Sequence, residues 1–276
     1  MLLDVLNRLS GHWQVNLETR LARTELYEKR IVSSRPSLGF FVLLISSAVI
    51  ATLGLISNST AVVIGAMIIA PLMDPILSLS FGFAVSDDKL IRRSFVTVLL
   101  GVITVIVTGA LICALLDVTH VQSEILGRTT PNLIDLGIAV AAAVAGSFSM
   151  TRERLSSSIA GVAIAVALVP PLCVSGIGLN LGDEITAVFG RGTVTGLSNQ
   201  IAEGSFLLFL ANLIGIVVAS LMVFLIQQYG SFSRCWRNLL VWFGLLGLLC
   251  IPLSSALHDF SLTQEIDAHF SEFKSG

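Results

Sequence analysis

The sequence predicts an all-α membrane protein of about seven spans, built from two inverted three-helix repeats plus one extra C-terminal span. Three observations carry this prediction. Of the 276 residues, 54% are hydrophobic and only 12% are charged, with a mean hydropathy of +0.90. A soluble domain of this length has too few charges here to cover so much apolar surface. The apolar runs reach the roughly 20 residues that cross a bilayer as a helix. Finally, AVVIGAMIIAPL at 61–72 is echoed by GVAIAVALVPPL at 161–172, with Ile64 falling on Ile164, Pro71-Leu72 on Pro171-Leu172, and Gly82 on Gly182.

Residues 1–36 form the first unit. Leu6, Leu9, Trp13, Leu17 and Leu21 recur at steps of three or four, which is helical spacing, among Arg8, Arg20, Arg23, Lys29, Arg30 and Arg35. This predicts an amphipathic N-terminal helix that lies in the membrane surface, packs under the bundle or docks on a partner. Pro36 ends it. Spans are expected at 38–57, 60–85, 94–116, 133–150, 158–181, 204–227 and 237–257. The first repeat is 37–116, the second is 117–232, and 233–276 holds the last span and an acidic tail. Small residues crowd spans four and five, as in AVAAAVAG, and allow close helix contact in lipid.

Lys and Arg counts orient the chain. With the N-terminus inside, thirteen basic residues fall on inside segments and three (Arg128, Arg191 and Lys274) on outside ones. That bias predicts a cytoplasmic N-terminus and an outside C-terminus. A three-span unit repeated in tandem then inserts upside down, the architecture of many secondary transporters. The net charge of −2 gives no reason to expect nucleic acid, and the first residues lack the pattern of a cleaved signal peptide. Cys113, Cys173, Cys235 and Cys250 have no metal-ligand spacing and read as buried thiols. No cofactor, metal or catalytic constellation is expected, so the chain is not read as an enzyme.

The candidate binding residues cluster at the proline-interrupted spans. Asp74 sits between Pro71 and Pro75, near the middle of span two, with Ser78 one turn on. An intramembrane carboxylate is costly unless hydrated, paired or protonated, so it is a functional candidate by default. The structural alternative makes Asp74 the N-cap and Pro75 the first residue of a restarted helix. Pro170 and Pro171 are expected to break span five, followed by Ser175, Gly176, Gly178 and Asn180. Asn212 lies within span six, where bonding to a neighbouring helix is the ordinary role. Asn132 and Asp135 open span four as a cap and a first-turn acid. The stretch from Gly182 to Gly204 reads as a surface hairpin, with an outer lid as the alternative.

Three segments, NSTAVVIGAMIIAPLMDPI (58–76), TPNLIDLGIAVAAAVAG (130–146) and AVALVPPLCVSGIGLNLG (165–182), resemble the signature of prokaryotic membrane proteins grouped as domain of unknown function 389. The likeness runs from about residue 38 to 227. It implies an integral inner-membrane protein of a prokaryote and assigns no activity. It also implies that Pro71, Pro75, Pro170, Pro171, Gly176 and Gly178 shape a common site. The position of Asp74 is commonly glycine in that pattern, which makes the acid particular to this chain. The favoured function is a secondary transporter moving a small solute or ion through a midplane site between spans two and five. The alternatives are an oligomeric channel, which leaves a homo-oligomer open, and a membrane scaffold or stress sensor. The lipid bilayer is the one partner expected throughout.

Overall fold

A computed structural model describes residues 20–116, 118, 120–129, 133–152, 157–181, 186–189, 192–195 and 198–230, with isolated positions at 235, 236, 240 and 244. Residues 1–19, nearly all of the expected seventh span and the acidic tail lie outside the described residues. The described residues are almost entirely helical. The elements are α1 (Arg23–Ser33), α2 (Leu38–Ile56), α3 (Thr60–Ile69), α4 (Met73–Val85), α5 (Asp88–Leu116), β1 (His120–Val121), α6 (Ser123–Leu126), α7 (Leu133–Met150), α8 (Ser157–Asn180), β2 (Thr186–Phe189), β3 (Gly192–Thr195) and α9 (Ser198–Ile226). Among the described residues, three helical segments are long and apolar enough to cross a membrane: Leu38–Ile56, Asp88–Leu116 and Ile201–Ile226. Shorter apolar helices cover Ile134–Met150 and Leu168–Asn180, and α3 with α4 makes a fourth span if the bent pair counts as one. Val42, Ile45, Ile103, Val107 and Leu111 are exposed large apolar side chains on these helices. An apolar outer face of this kind fits an integral membrane protein.

Span two breaks where Pro71 predicts. A residue before proline is driven out of the helical region, and Ala70 sits at φ −65°, ψ 122°. Leu72 returns to helical angles, and α4 leaves at 54° to α3. Pro71 also brings no N–H to the Met67 carbonyl four residues back. Ser47 of α2 supports the end of α3 by donating its hydroxyl to the Ala66 carbonyl at 2.7 Å. The first-turn amides of Leu72, Met73 and Asp74 have no backbone acceptor among the described residues, as expected at a helix start. From Pro75 to Ala84, α4 is buried on every side. It returns antiparallel along α5, where a methyl added at Gly101 would lie 2.9 Å from the Leu72 side chain.

Span five corrects the expectation of a matching break. Helix α8 runs unbroken through Pro170 and Pro171. Every residue from Leu168 to Gly178 is buried, and this packing overrides the local preference of the prolines. The missing amides still leave the carbonyls of Val166 and Ala167 without their intrahelical donors. Small residues let backbones nearly touch. A Cβ on Gly176 would fall 2.3 Å from the Ile106 carbonyl of α5, and one on Gly178 would fall 2.7 Å from the Ala202 amide of α9. The stretch 182–204 contains an antiparallel pair, β2 with β3, and β1 adds in parallel to β2. Cys113, Cys173 and Cys235 are buried free thiols, and Cys250 lies outside the described residues.

The stripe from Leu6 to Leu17 lies outside the described residues, and the described part of the N-terminal segment, from Arg20 to Arg35, packs against the bundle. The Leu21 amide donates to the Thr151 carbonyl at 3.0 Å, and the Tyr229 hydroxyl donates to the Leu21 carbonyl at 2.8 Å. Tyr27 donates to the Asp87 carboxylate at 2.5 Å. The other oxygen of Asp87 accepts the amides of Lys89 and Leu90 and so caps α5. Arg30, with its side chain 9% exposed, donates to the Asp74 carboxylate at 3.0 Å. This corrects the capping alternative for Asp74. The N-cap of α4 is Leu72, and Asp74 is the second helical residue, half exposed and turned to a partner outside its own helix.

Among the described residues, three non-glycine residues adopt positive φ: Asn58 (55°), Ser86 (57°) and Gln228 (64°). Each closes a helix by the same pair of bonds, as where the Tyr229 amide reaches the Phe224 carbonyl and the Gln228 amide the Leu225 carbonyl. Gln228 is exposed, so Gln228→Gly is expected to stabilise by about 0.5–1 kcal/mol, read as a raised thermal midpoint in detergent. Asp74→Ala leaves the buried Arg30 guanidinium unpaired and is expected to cost about 1–3 kcal/mol. Arg30→Met combined with Asp74→Ala should recover part of that loss, and a double variant worse than the sum of the singles would contradict it.

Candidate functional site

At the end of the bundle away from α1, a cavity of about 300 Å³ is lined by Met67, Ser123, Glu124, Gly127, Arg128, Asp135, Ile138, Pro171, Leu208 and Asn212. Its polar rim is built at the turn between α2 and α3. Asn58 holds a left-handed conformation there, and its side-chain oxygen accepts the Ser123 hydroxyl and the Glu124 amide, each at 3.1 Å. This seats the short helix α6 beside the mouth. Glu124 and Arg128 lie one turn apart, and the guanidinium bonds both the Glu124 carboxylate at 2.6 Å and its carbonyl at 2.5 Å. The Thr60 hydroxyl also donates to that carboxylate.

The hydrogen bond from Thr60 is the main reason the Glu124 carboxyl is held below its ordinary range. Partial burial opposes it, and the bond and charge of Arg128 add to it. Asp135 differs. It stands half-buried in the first turn of α7 with no ion pair or hydrogen bond among the described residues. Deeper in, Asn212 of α9 is buried, with Pro171 of α8 across the cavity. Met67 completes the wall and is the residue whose carbonyl Pro71 deprives of its helical donor. The lining therefore carries two carboxylates against one guanidinium, in a space sized for a small ion or solute.

Of the residues expected from sequence, Pro171 and Asn212 meet at this cavity, and span two reaches it through Met67 rather than Asp74. Asp74 is taken by Arg30. Pro71 shapes the break, and Pro75 and Ser78 are buried within α4; the Ser78 hydroxyl has no partner among the described residues. Pro170 and Ser175 are buried in α8 away from the lining, and Gly176 with Gly178 serve helix contacts. Asn180 donates to the Ala110 carbonyl at 2.6 Å. Glu124 and Arg128 are not singled out by sequence. Their one signal is an opposite-charge pair at spacing four inside a connecting segment. Asp135 reads as an ordinary first-turn acid until the cavity beside it is seen.

A carboxyl with a lowered pKa contributes stability that is complete above its ordinary pKa and is lost as pH falls through the depressed value. Acidification is therefore expected to loosen residues 123–129, measured as faster amide exchange at low pH after correction for intrinsic rates. Glu124→Gln should flatten that dependence.

Comparison with known proteins places this geometry in a family. Residues 67–218, more than half of the chain, match the family described as domain of unknown function (DUF389). An uncharacterised protein of Methanocaldococcus jannaschii is 33% identical over 220 residues, which is 79% of this chain and 63% of that relative. The chain thus aligns with under two thirds of that relative's length. No solved structure matches. Every residue lining the cavity falls inside the matched stretch, and the chain belongs to the DUF389 family.

Proposed function

We propose that this protein is a secondary transporter that moves a small cation or protonated solute through the cavity bounded by Met67, Asp135, Pro171 and Asn212. The observation that carries the reading is the meeting of span two, at Met67, and span five, at Pro171, on one polar space. Pro71 leaves the Met67 carbonyl without its helical donor, and Met67 shares this lining with the Asp135 carboxylate. Excess carboxylate in the lining favours a positive ligand.

The membrane arrangement proposed with it has seven spans, the N-terminus cytoplasmic, the C-terminus outside, and the prokaryotic inner membrane as location. The two three-span units are read as inverted repeats. Reciprocal packing supports this: the third helix of the first unit, α5, packs on α8 of the second, and the third helix of the second unit, α9, packs on α4 of the first. A two-fold axis in the membrane plane generates such pairs. The repeat is not exact, because only the first unit breaks at its proline.

Purified protein in liposomes, screened by solid-supported membrane electrophysiology against monovalent and divalent cations and small amines, tests the proposal. Asp135→Asn is expected to weaken transport roughly ten- to a hundredfold, the worth of one charge-assisted contact. Asp74→Asn, away from the cavity, should retain most of it. Unchanged currents in Asp135→Asn across the panel would remove the cavity from the transport path, and unitary currents in planar bilayers would replace a transporter with a channel.

A further inference from the structure

At the opposite end of the bundle, an open groove of about 590 Å³ is lined by Arg35, Pro36, Lys89, Arg92, Arg93 and Val96. The first two residues come from the turn between α1 and α2, and the others from the first turns of α5. None of the four cations makes an ion pair among the described residues, and no carboxylate lines the groove. The nearest acids stand outside the lining: Asp87, bonded to Tyr27 and to the α5 amides, offsets part of the Lys89 charge, and Asp88 is exposed. Four like charges gathered in a groove with no carboxylate in its lining repel one another, and an anion in the groove relieves this.

Below the charges the surface turns apolar. On α5, Val96, Leu99, Ile103, Val107 and Leu111 follow Arg92 at helical spacing, and all are exposed. Leu38 and Val42 line the start of α2 in the same way, 83% and 55% exposed. A cationic groove continuous with a greasy stripe along a spanning helix matches one ligand shape: a charged head above acyl chains.

We propose that this groove binds the phosphate headgroup of an anionic phospholipid, whose chains lie along the exposed face of α5. Arg35 from the α1–α2 turn and Lys89, Arg92 and Arg93 from α5 supply the charges that hold the phosphate. The lipid bridges the start of α2 and the start of α5, next to the Tyr27–Asp87 contact that docks α1. The proposal rests on the membrane placement of α2 and α5 and is independent of the transport reading.

Native mass spectrometry of the full chain in detergent, titrated with phosphatidylglycerol or phosphatidylcholine, tests this. Wild type is expected to retain phosphatidylglycerol in preference to phosphatidylcholine. Arg92→Gln/Arg93→Gln and Arg35→Gln/Lys89→Gln should each weaken retention by roughly fivefold per charge removed. Arg23→Gln/Lys29→Gln, which removes two cations outside the groove, should leave it unchanged. Equal retention of the two lipids by wild type, or equal loss in the Arg23/Lys29 control, would overturn the site. Complete displacement of phosphatidylglycerol by millimolar inorganic phosphate would overturn the lipid and leave a site for free phosphate.

Discussion

Pro71 has no amide hydrogen, and the first half of the bundle is arranged around that fact. The residue before it is forced extended, the helix stops, and the next one starts at an angle of 54°. In lipid such a break is tolerable only if surrounding groups meet the exposed peptide atoms. Ser47 meets the Ala66 carbonyl, α4 is enclosed from Pro75 to Ala84, and Met67, whose carbonyl has lost its helical donor, lines the cavity. One missing hydrogen thus links chain direction, packing and the candidate site.

The break also divides the polar chemistry between the two ends of the protein. Asp74 lies just beyond it and is turned toward Arg30 on the N-terminal helix. The pair ties α1 to α4, while Tyr27 and Asp87 tie α1 to the start of α5. At the other end, Asn58 and Thr60 hold Glu124 and Arg128 at the mouth of the cavity. Asp74, Asp87 and Glu124, which serve architecture, have partners; Asp135, proposed to serve transport, has none among the described residues.

Much of this was legible in the sequence, because apolar run length, helical spacing and proline chemistry act locally. The helical class and the broken second span follow from such signals. The continuous α8 was not legible, since Pro170-Pro171 is a strong local breaker and only burial from Leu168 to Gly178 shows why the helix persists. Asp74 misled for a similar reason: its depth in a hydrophobic run said nothing of Arg30, 44 positions away. The cavity depends on α6, a helix of four residues held by an asparagine 65 positions earlier, and no periodicity in the chain announces that contact.

Amide hydrogen exchange of the protein in lipid nanodiscs tests the central claim most directly, because it compares the two proline sites within one molecule. The account predicts rapid exchange for Leu72, Met73 and Asp74, which begin a new helix, and strong protection for Leu172, Cys173 and Val174, which sit inside a continuous one. Equal protection at both sites would mean that Pro71 bends a span without breaking it, and the cavity built on that break would fall with it.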